Sequence, residues 1–210
     1  MVKATQKLAK NLRADAVRNR ARVLEAAEAV FGSEGLAVPI DAIAERAGVG
    51  VGTIYRHFPT KEALFEAIVL SHFERLVDQA RALVTAEDPA EALFGFLAQV
   101  VSTAVAKRDL ADALAGAGID VKATASGLKP DLEGAVGELL LRAQQAHAVR
   151  ADVTVADLMG LVAGTCIATE RQGVGGCSSV RMLEVVCDGL RQPSASVTLG
   201  PERARPDGLA

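Results

Sequence analysis

The sequence predicts an all-α protein with an N-terminal helix-turn-helix domain and a larger helical domain. Apolar residues recur at helical spacing along most of the 210 residues, and no alternating run of β-branched residues stands out. The composition is globular, with 50% hydrophobic and 23% charged residues. All seven aromatic residues lie at or before Phe96, so the two parts of the chain differ in composition.

The first part of the chain predicts three helices. Residues 1–12 show no clear pattern and are expected to form a flexible basic arm, after which the first helix begins at about Asp15. Pro39 suits the first turn of the second helix, because its missing N–H costs nothing there. Gly48 ends the second helix, and the third helix covers about residues 51–57.

The remaining helices form a second domain at residues 61–192, after the helix-turn-helix domain at residues 13–60. Residues 109–128 are ambiguous, because glycine and serine interrupt their apolar pattern. A loop is predicted at residues 173–176, and a disordered tail at residues 193–210, which carry three prolines and no periodicity. Capping residues and proline start helices near Thr60, Asp88, Pro130, Thr154 and Ser179.

Charge is unevenly distributed along the chain. The net charge is −3, but residues 1–22 carry seven basic groups and one acidic group. Residues 1–60 sum to +3, so the rest sums to −6. A basic N-terminal segment followed by an acidic remainder of the chain suits a polyanionic partner such as nucleic acid. A solubilising N-terminal tail would give the same charges, and charge alone does not decide between the two interpretations.

The segment at residues 35–65 has the pattern of a helix-turn-helix. Ala44 is a small residue where two helices cross, Gly48 allows the positive φ of a turn, and Ile54 is an apolar anchor on the second helix. Hydroxyls and cations on the outer side of that helix suit contacts with phosphates and base edges. The outward residues are Val51, Thr53, Tyr55 and Arg56.

A longer set of residues gives the segment a family resemblance. These residues are Ile43-Ala44, Ala47-Gly48-Val49, Gly52-Thr53-Ile54-Tyr55, His57-Phe58, Lys61-Glu62 and Leu64. Their order is similar to that in the TetR family of transcriptional regulators, over about residues 23–73. The rest of the chain resembles the family's variable C-terminal domain only in length and helical content. The resemblance implies a homodimer that binds a double-stranded DNA operator, and a repressor that a small-molecule effector releases. We expect a cytoplasmic location, because neither end of the sequence has an apolar run long enough to cross a bilayer.

The resemblance also implies roles for single residues. The expected phosphate contacts come from Thr53, Tyr55, His57 and Lys61. Val51 and Arg56 would face bases or nearby backbone, and Gly52 lies in the same recognition segment. Lys61 falls in the first turn of a long helix, where its charge adds to free N–H groups in binding a phosphate.

Two positions depart from the family pattern. Gly50 stands where a Ser or Thr often caps the recognition helix, and Pro39 stands where a Thr often contacts the DNA backbone. Both changes remove a hydroxyl. We therefore expect the basic arm from Lys3 to Arg22 to contribute more to DNA binding.

An effector cavity is expected between the helices that begin near Thr60, Asp88, Pro130 and Thr154. Its candidate wall residues are Phe73, Phe94, Phe96 and Met159, which would otherwise be ordinary core. No aromatic residue follows Phe96 to hold a planar cation, so we predict a small aliphatic or weakly polar effector.

The last two helices predict the dimer interface. They are apolar almost all round, which is typical of helices buried on two sides, and they predict a four-helix bundle with two helices from each chain. We expect Val162→Glu to dissociate this dimer.

Other classes of function are disfavoured. Gly48, Gly50 and Gly52 form G-x-G-x-G, but no strand precedes them and no Lys-Ser/Thr follows, so a nucleotide loop is not expected. No set of nucleophile, acid and base converges, so we expect neither an enzyme nor a cofactor. Three cysteines and three histidines are too scattered for a metal site. The cysteines are expected to be reduced and structural, with a redox sensor as the alternative.

A membrane partner is also disfavoured. No apolar core of a signal peptide follows the basic N-terminus. Residues 13–22 are mostly alanine and polar side chains, whereas a membrane-binding helix needs a broad apolar face.

Overall fold

The computed structural model describes residues 2–171 and 178–192, and these are helical apart from short connections. The helices are α1 (Val2–Glu34), α2 (Ile40–Ala47), α3 (Val51–His57), α4 (Lys61–Leu83), α5 (Pro89–Ala106), α6 (Arg108–Gly116), α7 (Val121–Ala125), α8 (Lys129–Gln145), α9 (Val155–Arg171) and α10 (Ser179–Leu190). A 3₁₀ turn at Ser126–Leu128 joins α7 to α8. Within these ranges the structure contains no strand beyond an isolated bridge between Val149 and Arg191, which confirms the all-α class.

The first helix begins earlier than the sequence pattern predicted. We expected a flexible arm at residues 1–12 and a helix from Asp15, but α1 begins at Val2. The early segment contains alanine, lysine, leucine and glutamine, which are strong helix formers, and it contains no glycine or proline. The segment lacks an apolar stripe. Such a stripe is needed for a helix to be buried, but not for a helix to form.

Helices α1, α2 and α3 form a compact unit around one core. Ile43 on α2 is fully buried, and Ile54 and Phe58 at α3 are 1% and 3% exposed. Gly48 ends α2 with a φ of 63°, and the N–H of Val49 donates to the carbonyl of Ala44 at 3.0 Å. Pro39 is the N-cap of α2 rather than a residue of its first turn, which corrects our prediction by one position.

The second core is formed by α4, α5, α8, α9 and α10. Their capping residues begin these helices as predicted: Thr60 Oγ1 accepts from the Ala63 N–H at 3.1 Å, and Asp88 accepts from two N–H groups of α5. Thr154 and Asp157 form a reciprocal capping box at α9, with bonds of 2.8 and 3.2 Å. The central buried side chains are Leu93, Val136, Leu139 and Leu158.

Helix α4 belongs to both cores. Leu64 and Ile68 pack with the α1–α3 unit, whereas Leu76 and Ala80 pack in the second core. The ambiguous residues 109–128 become α6, α7 and the 3₁₀ turn, and Leu114 of α6 joins the first core. The first core therefore continues past residue 60, where the sequence suggested a domain boundary.

Helix α5 has the length and composition of a membrane-spanning helix, with 18 residues and a mean hydropathy of 1.4. The core helix of a soluble protein passes the same test. Leu93, Leu97 and Val101 of α5 are buried in the second core.

Several sequence predictions concern residues outside the described ranges. These are the loop at residues 173–176, the tail at residues 193–210 and the state of Cys177. Cys166 and Cys187 are half-buried and are not joined in a disulfide. Burial raises the pKa of the Cys187 thiol, which keeps it in its less reactive protonated form.

Candidate nucleic-acid interface and effector cavity

Helix α3 presents a polar outer surface on a single buried anchor. Ile54 holds the helix against the core, so its neighbours face away from it. Tyr55 is 50% exposed, and Gly52 and Arg56 are also exposed. Three further predicted contact residues are partly buried along the same helix: Val51, Thr53 and His57.

The lysine that begins α4 has a structural contact of its own. Lys61 Nζ donates to the carbonyl of Val38 at 2.7 Å and lies 5.6 Å from the centre of the Phe31 ring. This bond ties the start of α4 to the connection between α1 and α2. An ammonium has three N–H groups, so Lys61 retains donors for a phosphate beside α3.

Three arginines of α1 and α2 lie close to the helix-turn-helix. The guanidinium of Arg20 lies 5.5 Å from the centre of the Phe58 ring, and Arg46 is exposed in the last turn of α2. Arg22 reaches the turn itself, because a Cβ built on Gly48 would lie 2.6 Å from its Nη2. The basic side of α1 is therefore fixed beside the turn.

The two positions that depart from the family pattern, Gly50 and Pro39, each leave the start of a helix without a side-chain cap. Gly50 is the N-cap of α3 with φ −72° and ψ 147°, and no side chain accepts from the first turn. Pro39 leaves α2 uncapped in the same way. Nothing lies within 4 Å of a Cβ built on Gly50, so a side chain fits there.

A cavity of about 220 Å³ lies where α1, α4, α6 and α7 meet, and we call it the joint cavity. Its apolar wall consists of Ile68, Val69, Phe73, Ala104, Leu110, Ala111, Leu114 and Val121. Its polar wall consists of Glu28, His72, Lys107, Arg108 and Asp112.

This cavity lies elsewhere than the effector cavity that the sequence predicts. Of the predicted wall residues, only Phe73 lines it. Phe94 and Phe96 are buried in the second core, and Met159 packs against that core. Phe94 also lies under the guanidinium of Arg191, at 4.5 Å, and Phe96 borders an open groove beside the start of α5.

A charge cluster connects α1 to the larger domain at the polar wall. Glu28 forms ion pairs with Lys107, which joins α5 to α6, and with Arg75 of α4 at 3.0 Å. Burial alone would raise the pKa of Glu28, but Lys107 and Arg75 together lower it. The cluster therefore holds a charged carboxylate at neutral pH.

His72 completes this cluster. Its Nδ1 lies 3.4 Å from Lys107 Nζ. Burial, helped by the nearby Lys107 charge, lowers the pKa of His72 to about 4. The imidazole is neutral at pH 7. Because an ammonium only donates, Nδ1 accepts and the ring proton resides on Nε2.

Comparisons with known proteins decide the family. Residues 23–68 match the model of bacterial regulatory proteins of the tetR family, and residues 88–192 match the C-terminal domain of SbtR-like transcriptional regulators. A crystal structure of a TetR transcription regulatory protein from Mycobacterium vanbaalenii is 49% identical, with a TM-score of 0.72. That similarity covers 86% of this chain and 99% of the other. The chain belongs to the TetR family.

Further relatives agree with this membership. The TetR regulator SCO0520 from Streptomyces coelicolor is 36% identical with a TM-score of 0.69, over 84% of this chain and 99% of that one. The curated regulator UidR of Escherichia coli is 36% identical over 84 residues, which span 40% of each chain. This TetR-family protein is a DNA-binding transcriptional regulator, as the family is, and not an enzyme.

In this TetR-family chain the helix-turn-helix residues were predictable from the sequence, but the charge cluster was not. His72 is one of the three scattered histidines, and it contacts Lys107. Glu28 and Lys107 are 79 positions apart, and no local pattern connects them. In the described part of the chain, no group of His, Cys, Asp and Glu side chains has the arrangement of a metal site.

Proposed function

We propose that this TetR-family regulator is a homodimeric repressor that leaves its operator when a small molecule occupies the joint cavity. The observation that carries the proposal is the course of α4. This helix begins at Lys61 beside α3, and it lines the joint cavity with Ile68, Val69, His72 and Phe73. A molecule in the cavity thus touches the helix that supports the DNA-binding unit.

On this proposal, α3 enters the major groove of the operator. The hydroxyls of Thr53 and Tyr55, together with His57 and Lys61, bind phosphates, which position the protein without reading sequence. Arg56 and Val51 reach base edges, and Gly52 lets the backbone approach the DNA. The exposure of Tyr55 and Arg56 supports this division of roles.

The effector acts by a two-state equilibrium. One state spaces two recognition helices for successive major grooves, and the other does not. A ligand shifts this equilibrium only by the difference in its affinity for the two states. Regulation of this kind takes place in the bacterial cytoplasm, where the operator is located.

Exposed apolar side chains on α9 and α10 support a homodimer. Within the described part of the chain these are Leu161, Ile167, Val180 and Val185. Gly160 and Gly164 on α9 are exposed and allow another helix to approach closely. Val162, which we expected at the interface, is only 9% exposed and packs in its own chain's core. Val162→Glu would thus disrupt the fold rather than test the dimer.

A transcription assay tests the sign of regulation. A promoter that contains the bound DNA site is joined to a reporter in cells that have or lack the protein. We expect lower transcription when the protein is present and recovery with Arg56→Ala. Higher transcription in the presence of the protein would contradict a repressor.

A further inference from the structure

We propose that the joint cavity binds a small aliphatic monocarboxylate, whose carboxylate takes the place of Glu28 on Lys107. The inference rests on the proposed function, because it names the chemical class of the effector and the contact that the effector breaks. Its basis is the layout of the cavity. Apolar side chains, among them Ile68, Phe73 and Leu114, form one wall, and Lys107 stands at the polar end.

The size of the cavity sets the size of the ligand. A volume of about 220 Å³ holds on the order of ten non-hydrogen atoms, since one water occupies about 30 Å³ of liquid and bonded atoms occupy less. The apolar wall suits a short aliphatic chain, which needs no hydrogen-bond partner there. The volume matches a molecule with one short chain and one small polar group.

The charge cluster favours an anion over a cation. Glu28 already has two cations, Lys107 and Arg75, fixed beside it. A cationic ligand would have to compete with both. An incoming carboxylate meets a different situation: it pairs with Lys107, while Glu28 remains paired with Arg75. The exchange leaves none of these charges buried without a partner, which is the costly outcome.

His72 adds a reason for a single carboxylate. The ring is neutral and already accepts from Lys107, so it contributes no competing positive charge. The other charged wall residues, Arg108 and Asp112, are exposed on α6 and are hydrated. Lys107 is thus the partly buried cation that faces the apolar space.

The exchange would act on DNA binding through α1. Glu28 belongs to the helix that packs against α2 and α3, whereas Lys107 joins α5 to α6. Their ion pair links the DNA-binding unit to the larger domain. A ligand that replaces Glu28 on Lys107 removes this link and so favours the state with weaker operator binding.

The test compares three probes of similar length: octanoate, octanamide and octylammonium. Octanoate and octanamide have the same number of non-hydrogen atoms and differ in charge. Calorimetry on the full chain without DNA should show octanoate binding at least about tenfold more tightly than octanamide, because a hydrogen bond to a charged group contributes more than a neutral one. Octylammonium should not bind.

Two variants with opposite expected effects follow the charge exchange. Lys107→Met should remove the preference for octanoate over octanamide. Glu28→Gln should strengthen octanoate binding several-fold, because it removes the competing carboxylate. Substitutions at residues with only a structural role would not change octanoate binding in opposite directions. Lys129→Met, an exposed lysine on α8, is the matched control and should keep the preference.

Failure of this inference is distinguishable from failure of the proposed function. Octanamide binding as tightly as octanoate, or an unchanged preference in Lys107→Met, would overturn the carboxylate site even if the protein binds DNA. Octanoate binding that leaves operator affinity unchanged would overturn the link through Glu28. A chain that binds octanoate but no DNA would contradict the proposed function and leave the cavity assignment standing.

Discussion

In our proposal, Tyr55 on α3 and Lys61 at the start of α4 bind phosphates in different ways. Tyr55 offers a neutral hydroxyl, whereas Lys61 brings a full charge and also holds the carbonyl of Val38. Contacts with phosphates are blind to sequence, and only charged contacts release counterions from DNA. The two residues are therefore separable by the salt dependence of DNA binding.

Tyr55→Phe should weaken the binding of every duplex by about tenfold or more, because it removes one hydrogen bond to a charged phosphate. The slope of log affinity against log salt should not change. Lys61→Met should weaken binding and reduce the slope by about 0.9. Titrations by fluorescence anisotropy at several salt concentrations measure both quantities. These roles would be contradicted if Tyr55→Phe changed the salt slope, or if Lys61→Met left the slope of the parent chain unchanged.

At the charge cluster, His72 should make stability depend on pH. Burial lowers its folded-state pKa to about 4 from the ordinary 6.5, so the unfolded chain binds the proton first as pH falls. The free energy of unfolding should be unaffected by His72 above pH 6.5 and should fall between pH 6.5 and 4. The loss is at most about 3 kcal/mol, less after solvent screening at this half-buried position.

Urea unfolding at a series of pH values measures this dependence. In the variant His72→Gln, the free energy of unfolding should change less between pH 6.5 and 4 than in the parent chain. The lowered pKa of Glu28 stabilises the folded chain above the ordinary value of 4.5. This stabilisation is lost only as the pH falls below 4.5, well below the onset of the His72 effect. Identical pH profiles of the variant and the parent would show that His72 is not held neutral by the fold.

The start of α3 has no side-chain cap. Gly50→Ser should raise the free energy of unfolding by about 0.5–1 kcal/mol, because serine caps the helix and restricts the unfolded chain. Gly50→Ala restricts the unfolded chain equally but cannot cap. The serine variant should therefore be the more stable of the two in denaturant titrations. Equal stability of the two variants would mean that the cap contributes nothing here.

Helix starts were predictable because capping is a local property. Thr60, Asp88 and the Thr154 and Asp157 pair each bond to N–H groups within three residues, so the sequence contains the whole interaction. The helix-turn-helix also depends on short spacings, from Ala44 to Ile54. The predicted start of the first helix at Asp15 was wrong for the opposite reason, since helix propensity needs no apolar stripe.

The joint cavity could not be predicted in this way. It depends on α1 meeting the junction of α5 and α6, and on α6 and α7 packing beside α4. The interruptions in residues 109–128 concealed those two short helices. Phe94 and Phe96 have the same helical spacing whether they line a cavity or fill a core, and only the three-dimensional packing of the helices distinguishes the two cases.

For the whole molecule, the exposed face of α9 and α10 should hold two chains together. Ile167→Glu places a charge on this face and should shift the sedimentation of the protein to that of a monomer at micromolar concentration. Val17→Glu is the matched control, because Val17 is 69% exposed but lies on α1. A parent chain that is already monomeric, or an Ile167→Glu variant that still dimerises, would contradict this interface.

The most direct test of the central claim, that α3 of this TetR-family regulator reads an operator, is the selection of bound duplexes from random DNA. We expect one partly palindromic motif, because the two recognition helices of a symmetric dimer read equivalent half-sites about one helical turn, roughly 34 Å, apart. Affinity for the motif should fall steeply with salt, with a slope of about −0.9 for each neutralised phosphate. Recovery of no motif above background, or an affinity that does not change with salt, would contradict the account.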